Sequence, residues 1–418
     1  MNGSIITVEE NKMRKLASIQ KVKNIEPIAG KDSIGLASVL GWHVIVNKSE
    51  VAPGDLVVYF EVDSVLDKTN PVFEFMAKRD YRVRTMKMAG VISQGLVMPL
   101  SAFGLSGNVG DDVTDVLKVK KFEVCDDLEV VVKANKKAKL INRLGKLVPG
   151  FIRRRFWGLT NCIKYDILGV PRFPEFTDFP CEVDKTDEVR LQAVPEMLDR
   201  IAEVYKNDRY GLYITEKVDG ASGTFLLRSK PYRCLLGFLA RLGLWQKESY
   251  DYIVCSRNRV AVPGSSYDIL SKKHNIKKCL MECLQFAREE YNFDYICIQG
   301  EVLGPKVQAN KYGLKELELR AFNLIAGIYT DDDAEYICKM SDDDIKKIFS
   351  KYGIKTVPVL ADNAHFRNIK TVDDWVEYAT GKSVLYDGPR EGIVVRSYAG
   401  DRFSFKVINP EFLLKYKL

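Results

Sequence analysis

Five residues near the middle of the chain, Glu216-Lys217-Val218-Asp219-Gly220, are of types that could do covalent chemistry. The preceding Tyr213-Ile214-Thr215 reads as a strand, which puts Lys217 at a strand–turn junction with a carboxylate two positions on. Positions two apart on an extended chain face the same way. Gly220 permits a sharp turn into a following strand. A lysine amine is a poor nucleophile while protonated, but burial or nearby cations lower its pKa and free the lone pair. The same letters also spell an ordinary hairpin turn with a surface lysine, so the weight falls on what accompanies them.

Four further segments do. Ser256-Arg257-Asn258 follows the β-prone Tyr252-Ile253-Val254-Cys255. Ile298-Gln299-Gly300-Glu301-Val302-Leu303-Gly304 sets a carboxylate in an otherwise apolar strand, and Arg320-Ala321-Phe322-Asn323-Leu324 sets an aromatic ring in another. Glu391-Gly392-Ile393-Val394-Val395-Arg396 opens a strand with a carboxylate, and a turn near Tyr398-Ala399-Gly400-Asp401 leads to Arg402 through Ile408, which includes Lys406. Singly, Glu301 could be an edge charge and Phe322 a core ring. Their combination and order make a constellation of lysines, carboxylates and an aromatic on strands.

The elements that must position these residues are legible in outline. Residues 1–125 read as all-β: Trp42 to Val46, Leu56 to Val62, the alternating Tyr81 to Met86, and Gly95 to Leu100, with turns at Pro53-Gly54-Asp55, Gly107 and Gly110. Short strands at this spacing predict an OB-type β-barrel. Residues 126–184 read as a connector, and residues 185–418 as α+β, with antiparallel strands flanked by helices. The periodicity of Ile276, Leu280, Cys283 or Leu284, and Ala287 predicts one amphipathic helix over Ile269 to Tyr291. Ser341-Asp342-Asp343-Asp344 and Thr371-Val372-Asp373-Asp374 are helix starts, with stops at Gly353 and near Gly381. The helix dipole accounts for these acidic clusters, which take no catalytic role. A long apolar and basic stretch, Arg228 to Ser249, is predicted as a packing insertion or a lid.

Charge is uneven along the chain. Its net charge of +7 is mild for 418 residues. Yet residues 130–156 contain no acidic side chain and nine basic ones, among them Lys136, Lys137, Arg153, Arg154 and Arg155. That run exceeds the whole chain's surplus and is interleaved with apolar residues. It is expected to contact a phosphate backbone, the alternative being a solvated face. The nine cysteines form no C-x-x-C pair, so neither a disulfide framework nor a zinc site is expected. The first residues lead to Glu9-Glu10 without an apolar core, and the longest apolar stretch, Cys234 to Trp245, is broken by Arg241. The expectation is a cytoplasmic or nuclear protein with no membrane span.

The ordered set resembles the covalent nucleotidyltransferase superfamily, which comprises ATP-dependent DNA and RNA ligases and mRNA capping enzymes. The resemblance covers roughly residues 185–410, with Lys217-Val218-Asp219-Gly220 and Glu391-Gly392-Ile393-Val394-Val395-Arg396 its specific elements. Phe173-Pro174 and the segment Lys185 to Gln192 look like the approach to the RNA-ligase branch, and a barrel placed in front resembles the Deinococcus and Naegleria type. DNA ligases and capping enzymes carry their barrel behind the Lys406 element, where only twelve residues follow here.

The resemblance implies ATP as substrate, Mg²⁺ or Mn²⁺ as cofactor, and a lysyl-AMP adduct on Lys217. It also implies RNA, or an RNA-containing duplex with a strand break, as partner, sealed by the chain acting as a monomer. Asp219 and Glu391 look like metal holders. Arg257 and Glu301 look like ribose contacts, Phe322 like the ring on adenine, and Lys406 like the α-phosphate contact, with Glu216 counted among the nucleotide-binding residues. The usual pair of lysines one residue apart is broken here by Ser404 or Ile408. A DNA ligase, a capping guanylyltransferase and a nucleic-acid-binding protein with an inactive ligase-like domain are the competing readings.

Overall fold

The computed structural model describes residues 14–122, 179–206, 210–230, 249–289, 291–329, 335–338, 343–398 and 403–417. The connector as far as residue 178, including Lys136, Lys137, Arg153, Arg154 and Arg155, lies outside the described residues, as does nearly all of the stretch between Arg228 and Ser249. The chain divides into two compact units. One holds the described parts of residues 8–126, 187–218 and 357–418; the other holds those of 127–186 and 219–356.

The N-terminal strands of the first unit are β1 (Ala17–Ile28), β2 (Lys31–Val39), β3 (Trp42–Asn47), β4 (Leu56–Phe60), β5 (Ser64–Val65), β6 (Met86–Met88), β7 (Val91–Ser93), β8 (Leu96–Pro99) and β9 (Lys120–Lys121). The main sheet runs β3-β2-β1-β4-β8. β1 curls this sheet: its first half pairs with β4, its second half with β2, and the register shifts between Val22 and Asn24. A shift of this kind bends a strand and lets a sheet close on itself. β4 is buried on both faces. Val57 and Tyr59 join Trp42, Val44 and Val46, while Val58 and Phe60 pack with Phe73, Met76 and Leu16. This is the expected OB-type fold. β1 and β2 carry too many polar residues to be legible as strands. Of Tyr81 to Met86, read as a strand from its alternation, Arg82 makes an isolated bridge and only Met86 enters a strand, as the start of β6; Asp80 and Tyr81 have φ of 52° and 57°, which an extended strand excludes.

The same unit contains β10 (Val189–Arg190), helix α1 (Met197–Val204) and β11 (Leu212–Lys217). The second unit follows with β12 (Ala221–Lys230), β13 (Ser249–Cys255), α2 (Ser266–Lys273), α3 (Ile276–Ala287), β14 (Tyr295–Leu303), β15 (Glu318–Gly327), β16 (Glu335–Cys338), α4 (Asp343–Lys351) and β17 (Lys355–Thr356). The chain then returns to the first unit with β18 (Val359–Ala364), α5 (Val372–Ala379), β19 (Gly392–Ser397), β20 (Ser404–Ile408) and α6 (Pro410–Tyr416).

In the first unit a second sheet, ordered β10-β20-β19-β11-β18, packs one face on Leu191, Ile201 and Trp375. The barrel meets it closely. Gly41 donates to the Gln192 carbonyl at 2.9 Å, and a Cβ on Gly41 would lie 3.0 Å from the Gln192 Cα. α5 starts as predicted: Thr371 and Asp374 form a reciprocal capping box.

In the second unit β13-β12-β14-β15-β16 form a sheet, with β17 pairing β15. α2, α3 and α4 cover it through Leu270, Cys279, Leu280, Cys283, Ile345 and Phe349. The single helix predicted over Ile269 to Tyr291 is two, because Asn275 adopts a left-handed conformation with φ 46°. The stripe Ile276, Leu280, Cys283, Leu284, Ala287 is buried as expected. Cys255, Cys279 and Cys283 are buried thiols. Among the described residues no helix is long and apolar enough to cross a membrane.

Candidate active site

β11 delivers Lys217 as its last residue. Its antiparallel partner β19 places Gly392 opposite Lys217 and Ile393 opposite Glu216. Because side chains alternate, Leu212, Ile214 and Glu216 share the core side, while Tyr213, Thr215 and Lys217 share the other. The residue just before β19, Glu391, receives a hydrogen bond from Lys217 Nζ at 2.6 Å. Lys217 is 23% and Glu391 13% exposed, so the pair is shielded yet reachable. Gly392, the next residue, lets β19 pack closely on β20. A Cβ there would fall 2.1 Å from the Val407 carbonyl oxygen.

The next strand places Lys406 opposite Val394, and β10 runs parallel beside it with Arg190 opposite Lys406. Lys406 Nζ donates to Asp187 Oδ1 at 3.0 Å. Asp187 Oδ2 accepts from Lys121 of the barrel at 2.8 Å. Asp63 of the barrel similarly bridges Arg82 at 2.7 Å and Arg190 at 3.1 Å. Two carboxylates thus tie the barrel to the Lys217 sheet. Burial pushes the Lys406 ammonium down to about 8, with Arg190, Lys217 and Arg14 adding to the effect and Asp187 opposing it. Burial raises Asp63, but Arg190 and Arg82 more than offset it and leave the carboxyl below its usual range. The geometry is a cation-rich face that could receive an anion beside a lysine amine.

Glu216 goes elsewhere. On the core side, its carboxylate accepts from the Ser383 hydroxyl at 2.5 Å and the Val384 amide at 2.9 Å. The structure therefore gives it a role in holding the 383–384 turn, and does not bring it to the Lys217 face.

Four candidates belong to the second unit. Glu301 lies opposite Ser222 on one side and Arg320 on the other. Phe322 follows Leu319 and Ala321, which face the helices, so alternation puts it on the other face, where it is half-buried. Gln299 pairs with Asn323 and Gly300 with Ala321, so Phe322 has no opposite number, and past it the buried positions change phase to Leu324 and Ala326. Arg257 sits exposed in the turn after β13, where Ser256 pairs with Arg259. Asp219 is paired with Lys311, and its amide donates to the Tyr312 hydroxyl at 2.8 Å.

Sequence reasoning named Lys217, Glu391 and Lys406, whose strands the structure brings into one sheet. It missed Lys121, Asp187, Arg190 and Lys311. Asp187 and Arg190 lie in a segment singled out for its resemblance, but only the β10–β20 pairing gives them a purpose. Lys311 carries no local signal.

Comparison with known proteins agrees with this architecture. A family model described as an OB-fold domain matches residues 16–100, and one described as RNA ligase matches residues 211–408. The Naegleria gruberi RNA ligase with PPi aligns at 25% identity and TM-score 0.66, covering 97% of this chain and 99% of that one. The same organism's ligase, as a glutamate-to-alanine mutant with ATP and Mn, aligns at 26% identity and TM-score 0.66, covering 97% and 100%. A lysine-to-methionine mutant with AMP and Mn aligns at 25% identity and TM-score 0.66, covering 97% and 99%. Over residues 211–408 this chain is similar to the RNA ligases. No curated protein matches it.

Carboxylates suit a hard divalent cation, and the two expected as metal holders lie one in each unit: Asp219 in the second, Glu391 in the first. Glu391 Oε2 is buried and accepts no hydrogen bond among the described residues, leaving it open to a cation. A Cβ on Gly220 would come within 3.1 Å of Glu301 Oε2, so the glycine leaves that carboxylate room beside Asp219. Among the described residues no cluster of three or more His, Cys, Asp or Glu is gathered as a ready cage.

Proposed function

We propose that this ligase seals 3′-OH/5′-phosphate breaks, with RNA on the 3′-OH side, through a lysyl-AMP intermediate on Lys217. The observation that carries this is the Lys217–Glu391 contact at 2.6 Å, at a strand end in the same sheet as the half-buried, cation-flanked Lys406. The similar Naegleria gruberi ligase structures, which hold PPi, AMP and Mn, or ATP and Mn, support the cofactor reading.

In the first step the Lys217 amine, having given up its proton, attacks the α-phosphorus of ATP. An N–P bond forms, and the bond to the β-phosphate bridging oxygen breaks with its electron pair leaving on pyrophosphate. Lys406 holds the α-phosphate oxygens, where negative charge builds. Phe322 stacks on adenine, and Arg257 and Glu301 hold the ribose. A divalent cation held by Asp219 and Glu391 supplies Lewis-acid neutralisation of the phosphate when bound. The AMP then passes to a 5′-phosphate, and a 3′-hydroxyl displaces it. Splitting the seal through a covalent adduct replaces one hard step by easier ones. The barrel and residues 126–184, with Lys136, Lys137 and Arg153 to Arg155, hold the nucleic acid by its backbone.

The test is labelling with α-³²P ATP or GTP and Mg²⁺ or Mn²⁺. Label from ATP alone is expected, and none in Lys217→Ala. Label from GTP would favour capping chemistry, and no label an inactive binding protein. Nicks with ribose or deoxyribose at the 3′-OH separate the polynucleotide readings; equal sealing of all-DNA nicks would refute the RNA requirement.

A further inference from the structure

Asp219 is already occupied by a cation of the chain itself. Lys311 Nζ pairs with Asp219 Oδ2, and the two side chains are only 9% and 12% exposed. The neighbouring residue holds the backbone of the same turn, since Tyr312 OH accepts from the Asp219 amide at 2.8 Å. The segment that presents both residues is unusual. Gln308, Ala309 and Asn310 have φ of 42°, 57° and 48°, and Lys306 has 68°. None is glycine, and such backbone persists only where its surroundings over-determine it. Here Asn310 does so: its side-chain amide donates to the Leu314 carbonyl at 2.8 Å, and its side-chain oxygen accepts from the Leu314 amide at 3.0 Å. Lys311 is therefore delivered to Asp219 by a constructed turn, at a position shielded from solvent.

A shielded carboxylate cannot serve a buried ammonium and a divalent ion at once without crowding two cations together, and such crowding is strongly unfavourable at low local dielectric. We propose that Lys311 is a stand-in cation: it neutralises Asp219 in the metal-free ligase and is displaced when Mg²⁺ or Mn²⁺ binds. This rests on the reading of Asp219 as a metal holder. The exchange keeps a buried charge compensated in both states and makes metal affinity in the absence of nucleotide weaker than the donor set alone would give. The displaced ammonium becomes exposed to solvent.

The test uses the full-length, nucleotide-free protein with Mn²⁺ as probe, free Mn²⁺ being read by electron paramagnetic resonance. Lys311→Met is expected to bind Mn²⁺ at least about tenfold more tightly, the scale of one tightly placed opposing charge. Lys306→Met removes the same charge from an exposed position on the same segment and should change affinity less than about twofold. Asp219→Asn should weaken binding. If Asp219→Asn weakens binding but Lys311→Met does not tighten it beyond Lys306→Met, displacement is wrong and the metal reading stands. If Asp219→Asn leaves binding unchanged, the metal reading falls, and the proposal with it. A second measurement needs no variant. Acetylation of the wild-type protein, mapped by mass spectrometry, should show Lys311 protected without Mn²⁺ and reactive with it, while Lys306 reacts in both. Equal Lys311 reactivity in the two conditions overturns the proposal.

Discussion

Replacing Lys406 with methionine removes a charge from a site that holds it at a cost. Burial, assisted by Arg190, Lys217 and Arg14, lowers its pKa from 10.5 to about 8, even with Asp187 opposing. At ~1.36 kcal/mol per pKa unit, the folded chain carries a penalty on the order of 3 kcal/mol for keeping the ammonium there. The sign follows from proton linkage. Below pH 8 the lysine is charged in both folded and unfolded chains, and the full penalty is present. Between pH 8 and 10.5 the folded chain sheds the proton first, so stability contributed by Lys406 rises with pH through that window. Methionine keeps the length and apolar bulk of the stem but cannot titrate. In urea unfolding at half-unit steps from pH 7 to 10.5, the wild-type curve should therefore gain on Lys406→Met by about 2–3 kcal/mol, mostly above pH 8. Subtracting the variant removes the titrations common to both. A difference that stays flat across the range would mean that Lys406 is not held charged against its burial, and the electrostatic reading of this face would be refuted.

Other expectations can be checked separately. Phe322→Ala should raise the KM for ATP in the adenylylation assay by the ~1–3 kcal/mol of one base–aromatic stack; an unchanged KM would remove the ring from the adenine site. Gly392→Ala, which drives a Cβ to within 2.1 Å of the Val407 carbonyl, should lower both the midpoint of thermal unfolding and the yield of lysyl-AMP, because Glu391 and Lys217 lose their spacing. Thr371→Ala removes one arm of the α5 capping box and should cost ~1 kcal/mol in urea unfolding while leaving adduct formation unchanged.

The sequence by itself determined what is local. Lys217 at the end of a strand, Glu391 before another, the capping box at Thr371 and the buried stripe of α3 all follow from spacing of a few residues, because strand alternation, helix periodicity and capping act over that range. It also placed a barrel ahead of the catalytic strands, from turn chemistry and strand spacing.

Tertiary structure decided what depends on pairing between distant segments. Lys406 meets Asp187 across 219 residues, Lys217 meets Glu391 across 174, and Lys311 meets Asp219 across 92. No local pattern specifies such partners; sheet register does, since a shift of one residue would turn each side chain to the opposite face. The same reason explains Glu216, which sits beside Lys217 in sequence and on the opposite side of the strand in space. Phe322 is the sharpest case. Its letters allow either a core ring or a ring on adenine, and the packing of Leu319 and Ala321 against the helices is what puts it on the other face of β15.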